Sequence, residues 1–457
     1  MQNITVDFSK TIGKIKHMNA VNNGPVCSGG RVGKTNFESY KALKIPYARN
    51  HDASFYYPYG GDMIVDVHRI FRNFDADEND PNSYIFGPTD KYVKDTYDAG
   101  TETFYRLGAS IELYNNIFGT NKPKDFGKWA RICEHIVRHY NEGWADGFNY
   151  NITYWEIWNE PNNVRPDGTS PCWQGTPDEF IDLYEVAAKH LKKCFPDLKI
   201  GGPAFSVAWF DDYIKIKFME AIKERDIPLD FYSYHWYGKH ISGLVEAIEV
   251  VDDKLKEIGR PNTEKILNEW NYVRGWSGEI WEYSLETEKN HKGASLVAAA
   301  MCVSQANALD MLMYYDARPC GMNGLFDQKT FEPLKTYHIF EAFANLKDMG
   351  DYVKIDSNDD IYVCGATGNN KSGLMITYYN DNDDGFHEDI PVPELKKNIC
   401  LDIKNPFPGK RVSAKVYATD QNTDGTIVKE EFFSSDNFKL YLSMPIFTTY
   451  YIEFNEF

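Results

Sequence analysis

Two glutamates in this chain have neighbours that suit the cleavage of a glycosidic bond. Glu160 lies in the run YWEIWNEPNN and Glu269 in KILNEWN, each at the end of a short apolar run that reads as a strand. Glycosidic cleavage needs a pair of carboxyl groups across one cleft. One must be protonated to assist the departing oxygen, and the other ionised to attack the anomeric carbon. A glutamate at a strand end is ordinarily a solvated loop residue or an ion-pair partner, so its neighbours have to decide. Asn159 sets a side-chain amide beside Glu160, where it can hydrogen-bond a sugar hydroxyl. Trp155, Trp158 and Trp270 offer apolar walls. An apolar wall raises a carboxyl pKa, as a general acid requires, so Glu160 is expected to titrate above the usual range.

The elements that must position these groups alternate along the chain. After a short N-terminal strand candidate at 4–8, short apolar runs at 15–19, 45–50, 103–107, 154–158, 199–202, 231–235, 266–269 and 311–315 read as strands buried on both faces. Stretches at 126–140, 177–194, 211–224, 244–258, 289–308 and 334–346 carry apolar residues at three- and four-residue spacing and read as helices. The fold class is therefore α/β, a (β/α)8 TIM barrel over roughly residues 15–347. A doubly wound open sheet is the alternative. From Asp351 onward the pattern turns to strands separated by turn-rich stretches such as NDNDDG and TDQNTDG. This tail, taken as 348–457 with residues 1–14, reads as an accessory β-sandwich domain.

Composition limits the partners. The chain has 457 residues, 42% hydrophobic and 25% charged, the make-up of a globular protein too long for one compact core. Aromatic residues reach 15%, which serves sugar stacking and core filling equally. A formal net charge of −18 argues against nucleic acid and against anionic membrane, and is indifferent to a neutral sugar. The eight cysteines include no CxxC pair and read as reduced, mostly buried thiols. The N-terminus has no apolar signal region, and no apolar run reaches the roughly 18 residues of a membrane span, so a cytoplasmic protein is expected. A homo-oligomer stays open. The run DADEND (Asp75–Asp80) is similar to a calcium loop, but Asp80 stands where the EF-hand needs Gly. His135 and His139, in EHIVRH, lack the HExxH order and read as a solvated helix face. No metal and no organic cofactor are expected.

WEIWNEPN closely resembles the acid/base signature of glycoside hydrolase clan A, and specifically of family 39, which contains β-xylosidases and α-L-iduronidases. LNEWN is similar to that family's nucleophile segment. The resemblance runs from about His17 to Phe343 and implies a retaining hydrolase with Glu160 as general acid/base and Glu269 as nucleophile. IPYARNHD is similar to the second-strand segment, so Arg49 would support the nucleophile and His51 would bind a sugar hydroxyl. LDFYSYHWY is similar to the sixth-strand segment and implies His235 and Tyr237 near the nucleophile. The family's eighth strand commonly carries a Trp that floors the sugar. This chain has MYYDARP there, and Tyr315 is the expected substitute. Trp270 and the loop after Glu269, with Tyr272, Trp276, Trp281 and Tyr283, would wall the substrate. The implied substrate is an oligosaccharide or glycoside, first an exo-cleaved β-xyloside. A β-galactoside or an arabinose-containing chain comes next. An α-L-iduronide ranks lower, because Lys and Arg are sparse in these segments. The rival from another class is a non-catalytic carbohydrate-binding protein on the same barrel.

Overall fold

The computed structural model describes the chain except for residues 28–32, 52–63, 111–118, 166, 357–359, 369 and 383–392. Eight strands, His17–Asn22, Tyr47–Arg49, Glu102–Leu107, Tyr154–Ile157, Lys199–Phe205, Phe231–Gly238, Glu264–Tyr272 and Met311–Tyr314, form a closed parallel barrel. We number them first to eighth in that order. The eighth pairs with both the seventh and the first, which excludes the open sheet. Ala20, Phe104, Tyr154, Phe231, Ile266, Met311 and Met313 pack together as one interior layer. The residues that alternate with them, such as Tyr105, Trp155, Tyr232 and Leu267, join the larger core under the surrounding helices. The helices follow from their apolar stripes and caps. Pro177–Cys194, for example, starts with a capping box between Thr176 and Glu179 and Pro177 in the first turn.

Alternation breaks at one place that matters. Between the pairs Tyr234–Leu267 and His235–Glu269 the register of the sixth and seventh strands shifts by one residue. Leu267 and Trp270 face the helices. The extra residue lets Asn268 and Glu269 both turn to the interior, where they meet Glu156 and Arg49. A bulge of this kind re-aims a side chain that strict alternation would send outward.

The remaining strands form two sheets. Gln2–Asp7, Lys396–Lys404 and Asn437–Pro445 make a three-stranded sheet, with Gln2–Asp7 parallel to Lys396–Lys404. Seven strands make the other, running from Asp424–Phe433 through Val412–Thr419, Thr448–Glu456, Lys371–Tyr378, Ile361–Gly368 and Asp351–Val353 to Thr11–Lys14. Val6, Leu401 and Leu440 from the first bury against Val363, Leu374 and Ile452 from the second, as in a sandwich. Four strands were not foreseen, the short Thr11–Lys14 and Asp351–Val353 and two longer ones. Asp424–Phe433 alternates too weakly to read as a strand and is held by pairing with Val412–Thr419. Lys396–Lys404 buries only Ile399, Cys400, Leu401 and Ile403. The stretch expected to be a loop after Glu269 contains the helix Gly278–Glu288.

At the barrel mouth the third and fourth strand ends meet tightly. Gly108 has φ +133°, and a Cβ there would lie 2.9 Å from the Trp158 Cα. Backbone cannot yield as a flexible side chain does. We expect Gly108→Ala to destabilise the protein by about 1–3 kcal/mol, read as a lower urea midpoint with unchanged slope. An unchanged midpoint would show that the strand ends can part.

Candidate active site

Arg49, at the end of the second strand, has no exposed side-chain surface. Its Nε donates to Glu156 Oε2 at 2.6 Å, and its Nη1 to Glu269 Oε1 at 2.7 Å and to Asn22 Oδ1 at 3.2 Å. Its Nη2 donates to Asn159 Oδ1 at 2.7 Å. One guanidinium thus joins the first, second, fourth and seventh strands. Ser233 Oγ and Asn268 Nδ2 each donate to Glu156 Oε1 at 2.6 Å. Burial lowers the Arg49 pKa, but the carboxylates of Glu156 and Glu269 outweigh it and hold the guanidinium above its usual range. Glu156, Asn22, Ser233 and Asn268 were not singled out in the sequence. A glutamate inside a strand buried at every position, YWEI, was the available signal, because such a carboxylate requires a buried cation.

Above this layer stand the two glutamates. Tyr237 Oη donates to Glu269 Oε2 at 3.0 Å, and His51 Nε2 lies 3.2 Å from Glu269 Oε1. His235 sits between the carboxylates, with Nδ1 2.7 Å from Glu160 Oε1 and Nε2 3.5 Å from Glu269 Oε1. Asn163 Nδ2 donates to Glu160 Oε2 at 2.8 Å, a partner the sequence did not suggest. A carboxylate oxygen of Glu160 lies within 4.8 Å of one of Glu269. The Glu160 side chain keeps 12% of its surface and that of Glu269 7%, so both open to the mouth. Glu160 has φ +44° and Trp158 φ +77°, rare for residues other than glycine. The fourth strand therefore ends in a strained turn, pinned by Glu160 N–H donating to the Ala204 carbonyl at 2.9 Å.

The electrostatics correct one expectation. Burial alone would push Glu160 up, but hydrogen bonds from His235 and Asn163 and the charges of His235 and Arg49 prevail, and its pKa is lowered. The apolar walls invoked for it are not there. Trp158 packs at 2% exposure against Trp129 and Trp173, with Nε1 bonded to the Cys172 carbonyl at 2.8 Å. Trp155 stacks on Tyr105 behind the barrel wall. Trp270 likewise has no exposed surface and packs edge-on against Tyr314, so it is a core side chain and not a sugar contact. Tyr272 is also fully buried. His51 is driven well below its usual pKa by burial and by Arg49 and Arg106, which keeps it neutral. Burial and Glu269 raise the Tyr237 hydroxyl well above its usual value, so it remains a donor.

Exposed aromatic surface lies elsewhere. Tyr315 is half-buried, with its ring 6.2 Å from His51 and 6.4 Å from Tyr237. The Trp276 ring meets Tyr237 edge-on at 5.1 Å, and Trp281 stacks on Trp276 at 5.2 Å and 26°. Trp276 is 60% exposed. The file Tyr237, Trp276, Trp281 thus runs outward from Glu269.

Glu160, His235 and Glu269 also have the spacing of a metal site. Arg49 at 2.7 Å from Glu269 already supplies the positive charge that a dication would have to displace, so the donor set suits a cation poorly. His139 corrects another expectation. It is 1% exposed and stacks on Phe86 at 3.6 Å, with its nitrogens near the Trp144 carbonyl and Asp90. It is a core histidine rather than part of a solvated face. Asp77 and Asp80 close local turns with Asn79 and Asn82. Part of the unassigned stretch around them, residues 52–63, lies outside the described residues.

The chain is similar to a β-xylosidase of Caldicellulosiruptor saccharolyticus, 25% identical over 243 residues, which covers 51% of this chain and 46% of that protein. It is also similar to a β-xylosidase of Geobacillus stearothermophilus, 30% identical over 196 residues, covering 40% and 36%. The matched region therefore spans less than half the length of these curated relatives. A crystal structure of a glucosidase from Croceicoccus marinus shares the fold, with TM-score 0.81 at 19% identity over 100% of this chain and 99% of that one. The model of glycosyl hydrolases family 39 matches residues 3–282, which take in both glutamates and Arg49, His51, His235 and Tyr237. That match extends over more than half of the sequence, and the chain belongs to glycosyl hydrolases family 39.

Proposed function

We propose that this chain is a retaining glycoside hydrolase, and in first reading an exo-acting β-xylosidase. The observation that carries the mechanism is the approach of Glu160 and Glu269 within 4.8 Å, oxygen to oxygen. Retaining enzymes hold their carboxyl groups about 5–5.5 Å apart, whereas inverting ones leave room for a water at about 6.5–9.5 Å. Glu269 attacks the anomeric carbon. The new C–O bond forms as the glycosidic bond breaks, and Glu160 gives its proton to the departing oxygen. A water then attacks the same carbon and yields a proton to Glu160, and the Glu269 carboxylate leaves. Arg49 and Tyr237 keep Glu269 ionised and aimed. His51 and Tyr315 stand beside the sugar, Asn159 reaches its 2-hydroxyl, and Trp276 and Trp281 wall the substrate further out. The β-xyloside assignment rests on the curated relatives named above. A panel of aryl β-xylosides, β-galactosides and α-arabinosides tests it, and preference for either of the latter two would replace it. Binding of these sugars without turnover would instead favour a non-catalytic carbohydrate-binding protein.

Three outcomes check the roles. Glu269→Ala should abolish turnover, and NMR of the first-formed sugar from the wild type should show the retained anomer. An inverted product would overturn the mechanism. Glu160→Ala should lower kcat/KM by about 10²–10⁴-fold on glycosides with poor leaving groups while sparing dinitrophenyl glycosides. Equal losses on both would contradict the acid role. The third concerns pH. His235 stabilises the anionic form of Glu160, so its removal raises the Glu160 pKa. The basic limb of kcat/KM reports the acid of the free enzyme, and in His235→Ala it should move to higher pH. Movement to lower pH would detach His235 from Glu160.

A further inference from the structure

The aromatic file beside Glu269 is fastened from the β-rich sheets, and the fastening converges on one residue, Asp381. Tyr272 is the last residue of the seventh strand, on the strand that carries Glu269. Its hydroxyl donates to Asp381 Oδ2 at 2.8 Å. Asp381 lies just beyond the strand Lys371–Tyr378, in the connection that leaves the seven-stranded sheet, and its side chain has no exposed surface. Its other oxygen pairs with Lys292 Nζ. Lys292 also donates to Tyr283 Oη at 3.1 Å and lies over the rings of Tyr272 and Tyr283. Tyr283 belongs to the helix Gly278–Glu288, which presents Trp281. On the neighbouring strand end, Lys239 Nζ donates to the Asp381 carbonyl at 3.1 Å, and the Lys239 carbonyl accepts from Tyr379 Oη. Lys239 stands just past Tyr237, the donor to Glu269.

The Asp381 carboxylate thus grips the end of the seventh strand and, through Lys292, the helix that carries Trp281, while its backbone carbonyl holds Lys239 just past the sixth. A buried ion pair is a poor device for cohesion, since a well-packed apolar pair of the same volume holds as strongly or more so. What a carboxylate with a hydroxyl and an ammonium partner adds is direction. Each partner is fixed in angle as well as distance. The sugar that is cleaved lies between Glu160 and Glu269. Trp276 and Trp281 lie one and two rings further out from Tyr237. They are therefore placed to meet a part of the substrate beyond the scissile sugar.

We infer that Asp381 is a positioning residue by which the β-rich sheets set the Trp276–Trp281 wall, and with it selectivity for the unit attached to the cleaved sugar. The inference rests on the glycosidase reading for its kinetic consequence but not for its structural one. Two measurements on Asp381→Asn and on the milder Tyr272→Phe in the full chain test it. The first is the near-ultraviolet circular dichroism of the tryptophan pair, defined as the difference between wild type and Trp281→Phe. Most of that difference should be lost in Asp381→Asn and part of it in Tyr272→Phe. The second is hydrolysis of a disaccharide against the corresponding glycosyl fluoride, whose leaving group reaches no aromatic ring. For the disaccharide, kcat/KM should fall about tenfold through KM, since a misplaced wall disturbs orientation, and the fluoride should stay within about twofold. An intact dichroic signal in a folded variant, or equal losses on both substrates, overturns the inference. If Asp381→Asn does not fold, Tyr272→Phe decides by the same comparison. A wild type inert to both substrates would sink the glycosidase reading, and the dichroism would still decide on Asp381.

Discussion

A single buried guanidinium, that of Arg49, is the interaction on which the mouth of this barrel depends. Its nitrogens reach the first, fourth and seventh strands from the second, and each contact falls between 2.6 and 3.2 Å. Glu156 neutralises it from below and Glu269 from above. Each member of this stack would be costly alone. An isolated charge in such a place forfeits several kcal/mol of hydration, and breaking a buried pair by removing one partner costs about 3–5 kcal/mol. Together they form a column of alternating sign with the remaining positions filled by Asn22, Asn159, Ser233 and Asn268. The column fixes the height and rotation of Glu269, and it sets the Arg49 cation against the side chain proposed to attack.

The column also explains which parts of the site were legible in the sequence. Glu160, Glu269, Arg49, His51, His235 and Tyr237 stand in local runs with recognisable neighbours, and the structure brings all six together. Glu156 escaped because it sits in the same WEIWNEPN run as the more conspicuous Glu160. Trp270 was misplaced for a different reason. Counting two residues per repeat from Ile266 sends Asn268 and Trp270 to the interior and Glu269 outward. The register shift at His235–Glu269 reverses this from Glu269 onward. Such a shift arises from how two strands pair, and no period in one strand reports it. The helix Gly278–Glu288 was hidden in a similar way. Only Ser284, Thr287 and Glu288 of its residues are buried, so it has no apolar stripe to read, and its aromatic residues suggested a loop.

The sheets outside the barrel show the same division between local and non-local information. Asn437–Pro445 alternates buried and exposed residues along its whole length, which is how an antiparallel strand with one wet face announces itself. Asp424–Phe433 does not, because much of both its faces is exposed, and it is its ladder to Val412–Thr419 that makes it a strand. Asp381 is a more pointed case. In sequence it sits in the turn-rich run NDNDDG, where an aspartate ordinarily closes a turn in water. In the structure it is buried against Tyr272 and Lys292, residues more than a hundred and almost ninety positions earlier in number.

The proton that Glu160 must hold, if it is the general acid proposed above, is where sequence and structure disagreed, and the disagreement is informative. Burial acts on Glu160 in one direction, and His235, Asn163 and Arg49 act in the other and prevail. The open cleft therefore favours the carboxylate, the form that the proposed second step needs to take a proton from water. A sugar filling the mouth removes water from Glu160 and leaves those side chains in place, so it adds only to the influence that raises the pKa. In the mechanism proposed above, occupancy would then move Glu160 toward the protonated form when a leaving oxygen is present, and release would return it. A fixed apolar wall would have held the proton permanently and served the first step at the expense of the second. His235, 2.7 Å from one carboxylate and 3.5 Å from the other, ties Glu160 to Glu269 in this balance.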